Sequence, residues 1–201
     1  MKNTKLKMLT EGAVMVALAT ILSFLKLVKF PWGGAVTVLS MLPIAVFALR
    51  YGVRKGLLVS SVYAVIQLGQ GILLDGLFGW GLTPIALISC ILLDYLLAFG
   101  VLGLAGVFGN KRFGTIIAGV VLAMFLRFAL HYVSGVLIFG SFGELWNGFS
   151  TESKWLYSLL YNGAYMLPET VFTTVGAVLL FKTPQMRKLL LADEREQKKE
   201  S

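Results

Sequence analysis

The sequence predicts an all-α, polytopic membrane protein: a bundle of six transmembrane helices with both termini in the cytoplasm. Three observations carry this prediction. Hydrophobic residues make up 57% of the 201 positions and charged residues only 14%, where a soluble domain carries about 25% charged residues. Mean hydropathy is +0.81. The basic residues cluster at alternate connections between apolar segments. At ~20 apolar residues per crossing, the chain has room for about six spans and no separate soluble domain.

The first apolar segment, 8–28, follows Lys2, Lys5 and Lys7. It is of span length and no A-x-A-like cleavage site follows it, so it reads as a retained helix rather than a signal peptide. Ala13 and Ala17 have small-xxx-small spacing, with Gly12 and Ala19 beside them. Such a face lets another helix approach closely, either within the bundle or from a different subunit.

The second segment, 36–51, is short and follows the turn-like "FPWGG". The third covers 55–74 and the fourth 82–108, with Pro84 near its start. The fifth covers 113–140. The sixth, 155–182, contains Pro168. Residues 183–201 read as a polar tail.

Arg50, Arg54 and Lys55 lie between spans two and three, Lys111 and Arg112 between four and five, and Lys182, Arg187 and Lys188 after six. The other side carries Lys26, Lys29 and Lys154 with acidic Asp75, Glu144 and Glu152. Positive-inside bias then places both termini in the cytoplasm. A five-span arrangement would put basic clusters on both faces.

The net charge of +8 is thereby topological. No nucleic-acid module accompanies it, so the bilayer is the expected partner and nucleic acid is not. The loops on the acidic side are the aromatic ones: "KFPWGG", "LDGLFGWG" and "GSFGELWNGFSTESKW". Trp32, Trp80, Trp146 and Trp155 read either as an interfacial belt or as parts of a lid over a site that opens outward, with the long loop between spans five and six as the lid.

A charge at mid-bilayer costs at least ~2.5–3.5 kcal/mol, so each one needs a reason. Asp94, Arg127, His131 and Glu169 all lie within expected spans, joined by Gln67 and Asn162. Arg127 and His131, four apart, share a helix face that Ser134 and Gly135 continue. Tyr157, Tyr161 and Tyr165 form one stripe with Asn162 beside it. A buried ion pair, such as Arg127 with Glu169, is one reading. The other is a pocket: Asp94, His131, Tyr157 and Asn162 all fall in one half of the membrane. Together they would line a cavity suited to a small, flat, cationic heterocycle, whose charge the carboxylate would pair and whose rings would stack on aromatic walls.

Other chemistry finds little support. One histidine, one cysteine (Cys90, read as a buried hydrophobe) and no H-E-x-x-H or C-x-x-C argue against a metal site. No phosphate-binding G-x-x-x-x-G-K-[ST] and no G-x-S-x-G elbow is present, so neither ATP hydrolysis nor any other enzymatic activity is expected. No cofactor is expected.

The strings "TEGAVMVALATILS", "VTVLSMLPI", "LLDYLLAF", "LRFALHYVSGV" and "YSLLYNGAYMLPE" together resemble the thiamine-specific substrate-binding subunit of energy-coupling factor transporters, from about residue 8 to 182. The resemblance implies a six-helix bundle that binds thiamine near its outer face. It also implies docking, through Ala13 and Ala17, onto a membrane scaffold subunit with two cytoplasmic ATPases. Asp94 stands where the family contacts thiamine with an acid, and Tyr95 follows it. His131, Tyr157 and Asn162 match site residues, and Arg127 matches a basic position one turn before the histidine. Tyr63 and Phe139 stand where some members have tryptophan. Trp32 and Trp155 are further wall candidates. Two alternatives remain open: a stand-alone transporter coupled to protons through His131, Asp94 or Glu169, and a binding subunit of the same architecture for another vitamin.

Overall fold

The computed structural model describes residues 2–146, 149–188 and 190. Of the expected tail 183–201, residues 184–188 are helical and Leu190 is buried in the apolar core, while the part from residue 191 onward, the loop residues 147–148 and the side chain of Trp146 lie outside the described residues.

The chain is a helical membrane bundle. Five helices are long and apolar enough to cross a bilayer: α1 (Lys2–Phe24), α3 (Val53–Leu73), α4 (Pro84–Gly106), α5 (Phe113–Phe139) and α6 (Lys154–Lys182). A sixth, α2 (Leu42–Tyr51), has 10 residues. At 1.5 Å per residue it covers about half of a ~30 Å hydrocarbon core. Large apolar side chains point outward from the long helices, among them Leu58, Leu73, Ile85, Leu167 and Leu179. This inside-out exposure is what lipid, rather than water, permits.

Two expected helical segments are partly strand. After α1 ends at Phe24, Lys26–Lys29 forms β1 and pairs antiparallel with β2 (Ala35–Thr37). The stretch "KLVK", two apolar residues between lysines, carries no alternation that would announce a strand. The expected second span starts as β2 and turns through Leu39, which is left-handed at φ 59. It becomes helical only at Leu42, where Pro43 suits a first turn. A second hairpin, β3 (Gly143–Trp146) and β4 (Phe149–Thr151), fills the connection between α5 and α6. Both hairpins lie at one end of the bundle, here the hairpin end.

The opposite end packs tightly on small residues. A Cβ on Gly103 of α4 would collide with the backbone of Gly56 and Leu57 in α3, and one on Gly119 of α5 with the carbonyl of Ala105. Around this contact Leu49, Ile116, Val120 and Phe181 form a closed apolar core. Glu11 ties α1 to this end, 3.0 Å from Arg50 Nε and 2.8 Å from the Tyr51 hydroxyl. The hairpin end is looser and polar inside, and it holds the site.

Candidate functional site

A recess opens at the hairpin end of the bundle. Asp94 stands in its wall. Residues Ile91–Leu97 of α4 are wound as a π-helix, and so are Gly135–Phe139 of α5. Such wide turns are common at functional sites because they re-aim side chains out of helical register. The two π segments bracket the Asp94 contacts.

Asp94 Oδ1 accepts from His131 Nδ1–H at 2.9 Å, and Oδ2 accepts from the Ser134 hydroxyl. Both donors lie on α5, one turn apart. In the neutral ring, a proton on Nδ1 leaves Nε2 as an acceptor. Nε2 is buried with no hydrogen-bond partner among the described residues, and His131 lines the recess beside Tyr165, whose ring it meets edge-on at 5.8 Å. Asn162 is held rigidly: its amide donates to the Ser158 carbonyl and hydroxyl, and its oxygen accepts from Tyr165 at 2.7 Å. Gly135 permits this approach of α5 to α6, since a Cβ there would strike the Ser158 hydroxyl.

Arg127 and Glu169 form no ion pair with each other among the described residues. The Arg127 guanidinium lies 4.4 Å from the centre of the Phe99 ring and donates to Met166 Sδ at 3.4 Å. It lines the recess, and its Nε has no hydrogen-bond partner among the described residues. The carboxyl of Glu169 is directed instead to Thr37, behind the recess wall.

Aromatic rings close the mouth. Trp32, left-handed at φ 58, stacks on Phe142 at 5.1 Å and 13° and meets Trp80 edge-on at 6.0 Å. Phe139 lies against both tryptophans. Tyr157 stacks on Tyr161, whose hydroxyl donates to the Pro31 carbonyl and so ties the β1–β2 hairpin to α6. Asp75, which lines the recess together with Lys26, binds Lys29 at 2.9 Å and Lys26 at 3.3 Å.

Of the expected site residues, Asp94, Tyr95, Arg127, His131, Phe139, Tyr157, Asn162 and Trp32 line the recess. Tyr63 and Trp155 do not. Tyr63 is fully buried against Phe99, one turn deeper than the recess-lining Gln67. Trp155 is 57% exposed and rests on Tyr132, turned away from the recess by the phase of α6. Phe142, Ser158 and the hydrogen-bonded pair Ser23–Gln70 also line it, and sequence reasoning missed them. The aromatic content of the lid loop was the one signal for Phe142. Ala13 and Ala17 are far from the recess, on an exposed face of α1, while Gly12, Val16 and Ala19 face the bundle.

The family model described as "Thiamine transporter protein" (Thia_YuaJ) matches residues 9–188. The chain is 33% identical over 196 residues to the thiamine transporter ThiT of Bacillus subtilis, covering 90% of this chain and 94% of that protein. It is 28% identical to the thiamine transporter ThiT of Lacticaseibacillus paracasei, covering 92% of each. A solved structure of ThiT from Listeria monocytogenes superposes with a TM-score of 0.68 at 24% identity, covering 92% of this chain and 98% of that one. That likeness shows a shared fold.

Proposed function

The chain belongs to the thiamine transporter protein family, and on that premise we propose that this multi-pass plasma-membrane protein is the thiamine-capturing subunit of an energy-coupling factor importer. In this reading the hairpin end faces outward and both termini lie in the cytoplasm. The recess takes thiamine from outside, and release requires a scaffold subunit and two ATPases.

The observation that carries this reading is the Asp94 carboxylate, held by His131 and Ser134 in a recess walled by aromatic rings. Thiamine is a permanent cation with two flat rings. The Asp94 carboxylate is held by an imidazole and a hydroxyl rather than, among the described residues, by a guanidinium or an ammonium group, so a bound monocation supplies its charge partner. Balance matters because an uncompensated buried charge is costly. Asp94 neutralises the charge and accepts from the aminopyrimidine amino group. His131 Nε2 and Asn162 supply further polar contacts, and Tyr157 and Phe139 flank the rings. The energy for release comes from the partners, because binding alone gives no direction.

Titration of the purified protein with thiamine tests the reading. At about a thousandfold excess over Kd, a ligand that binds only the folded state adds ~4 kcal/mol of stability. The expected result is a clear rise in Tm and quenched tryptophan fluorescence with thiamine, and neither with other vitamins. A response to a different vitamin alone would reassign the ligand. Uptake into vesicles without ATPase subunits would favour the proton-coupled alternative.

Trp32 supplies a second prediction. Replacing it by Ala removes a ring that stacks across the mouth, and a cation–π contact in a desolvated site is worth ~2 kcal/mol. The Kd for thiamine should rise roughly tenfold or more, measured by the same titration; an unchanged value would remove Trp32 from the binding wall.

A further inference from the structure

Glu169 is a fully buried carboxyl in a membrane helix, yet it neither lines the recess nor pairs with Arg127. Its contacts lie on a distant part of the chain. Oε1 accepts from both the backbone N–H and the hydroxyl of Thr37, 132 positions away, the latter at 2.7 Å. With the Thr37 proton so committed, the Ser40 hydroxyl donates to Thr37 Oγ1 at 2.6 Å. The chain Ser40→Thr37→Glu169 therefore braces the turn that follows β2.

That turn needs bracing. Leu39 is left-handed at φ 59 without being glycine, a conformation that persists only when its surroundings over-determine it. Thr37, Ser40 and Met41 line the recess. The same hairpin carries Trp32 over the mouth. Two further polar ties, from Asp75 to two part-exposed lysines and from Tyr161 to Pro31, lie nearer the surface, and Phe30 packs on Tyr165.

We propose that Glu169 is a positioning residue for the ligand: acting through Thr37 from behind the wall, it fixes the β1–β2 side of the recess and sets how long a bound ligand stays. The inference rests on the thiamine reading above. It assigns Glu169 no contact with the ligand.

The test uses the full chain, with Glu169→Leu, which removes the acceptor, and Thr37→Val made singly and together. Thiamine association and dissociation are followed by stopped-flow tryptophan fluorescence, beside the Tm of each unliganded protein. Each single variant should release thiamine about tenfold faster with association changed by less than about twofold, since changes within one interface act mainly on dissociation. The double variant should be no faster than the singles, because both cut one chain of bonds. In unliganded protein with Trp32 as its only tryptophan, E169L should raise quenching by iodide. A merely structural role would lower Tm but leave release from the folded fraction and Trp32 quenching unchanged, and that result overturns the proposal. Multiplicative effects in the double variant overturn it too. Wild-type protein that fails to respond to thiamine overturns the thiamine reading itself, while the iodide result still reports whether Glu169 positions the hairpin.

Discussion

Replacing Asp94 by Asn should raise the Kd for thiamine by more than about a hundredfold. The substitution isolates charge. An asparagine oxygen can still accept from His131 Nδ1–H, and its amide can donate to the Ser134 hydroxyl, so both contacts of the native side chain survive. What disappears is the negative charge next to the thiazolium. Removing one member of a desolvated charge pair costs 2–5 kcal/mol or more, and each ~1.4 kcal/mol is tenfold in Kd. The unliganded protein should keep its Tm close to wild type, which separates lost binding from lost folding. Fluorescence titration of purified D94N decides the matter. A Kd within a few-fold of wild type would mean that the carboxylate does not meet the ligand's charge, and the proposed pocket would have to be abandoned.

The second large effect is expected far from the recess. Ala13 and Ala17 sit on an exposed face of α1, while Gly12, Val16, Ala19 and Ser23 turn toward the bundle. Packing inside this chain therefore does not account for the small pair. A small-xxx-small face at membrane depth lets a partner helix approach to backbone distance, and bulk there blocks it. Replacing both alanines by Trp should leave thiamine binding by the purified protein unchanged. It should lower ATP-driven uptake in vesicles with the assembled partners by at least about tenfold, ~1.4 kcal/mol in docking terms. Wild-type uptake by the double variant would show that this face is not the contact surface. Loss of binding as well would point to a folding defect instead.

The two expectations differ in how far they could be read from residues alone. The acid, the histidine and the carboxamide were placed in one half of the membrane by counting along apolar segments. That works because a helix advances a fixed 1.5 Å per residue. Counting does not say that His131 and Ser134 share the two oxygens of Asp94, nor that both helices widen into π turns there. Nor does it settle helix phase. Trp155 and Tyr157 are two positions apart at the start of α6, yet one is 57% exposed and the other 8%. On α3, Tyr63 passes below the recess while Gln67 and Gln70 reach it. The loops were least legible. Phe142 and Trp80 have no periodic neighbours to fix their direction, and Trp32 adopts a left-handed backbone that no local pattern announces.

Arg127 and Glu169 show the same boundary. Composition requires that buried charges be compensated, and an ion pair between them is one of the two readings that the sequence leaves open. The folded chain spreads the compensation instead, over the Phe99 ring for one and Thr37 for the other.

By itself, the sequence determined the solvent, the crossing segments, the expected orientation and the kinds of groups available to a ligand. These depend on transfer free energies and helix rise, which are properties of residues and short windows. The tertiary structure decided which side chains meet, which rings close the mouth and which carboxyl braces a wall rather than facing the recess. Those outcomes depend on helix rotation, tilt and loop conformation, set by packing among segments more than a hundred residues apart.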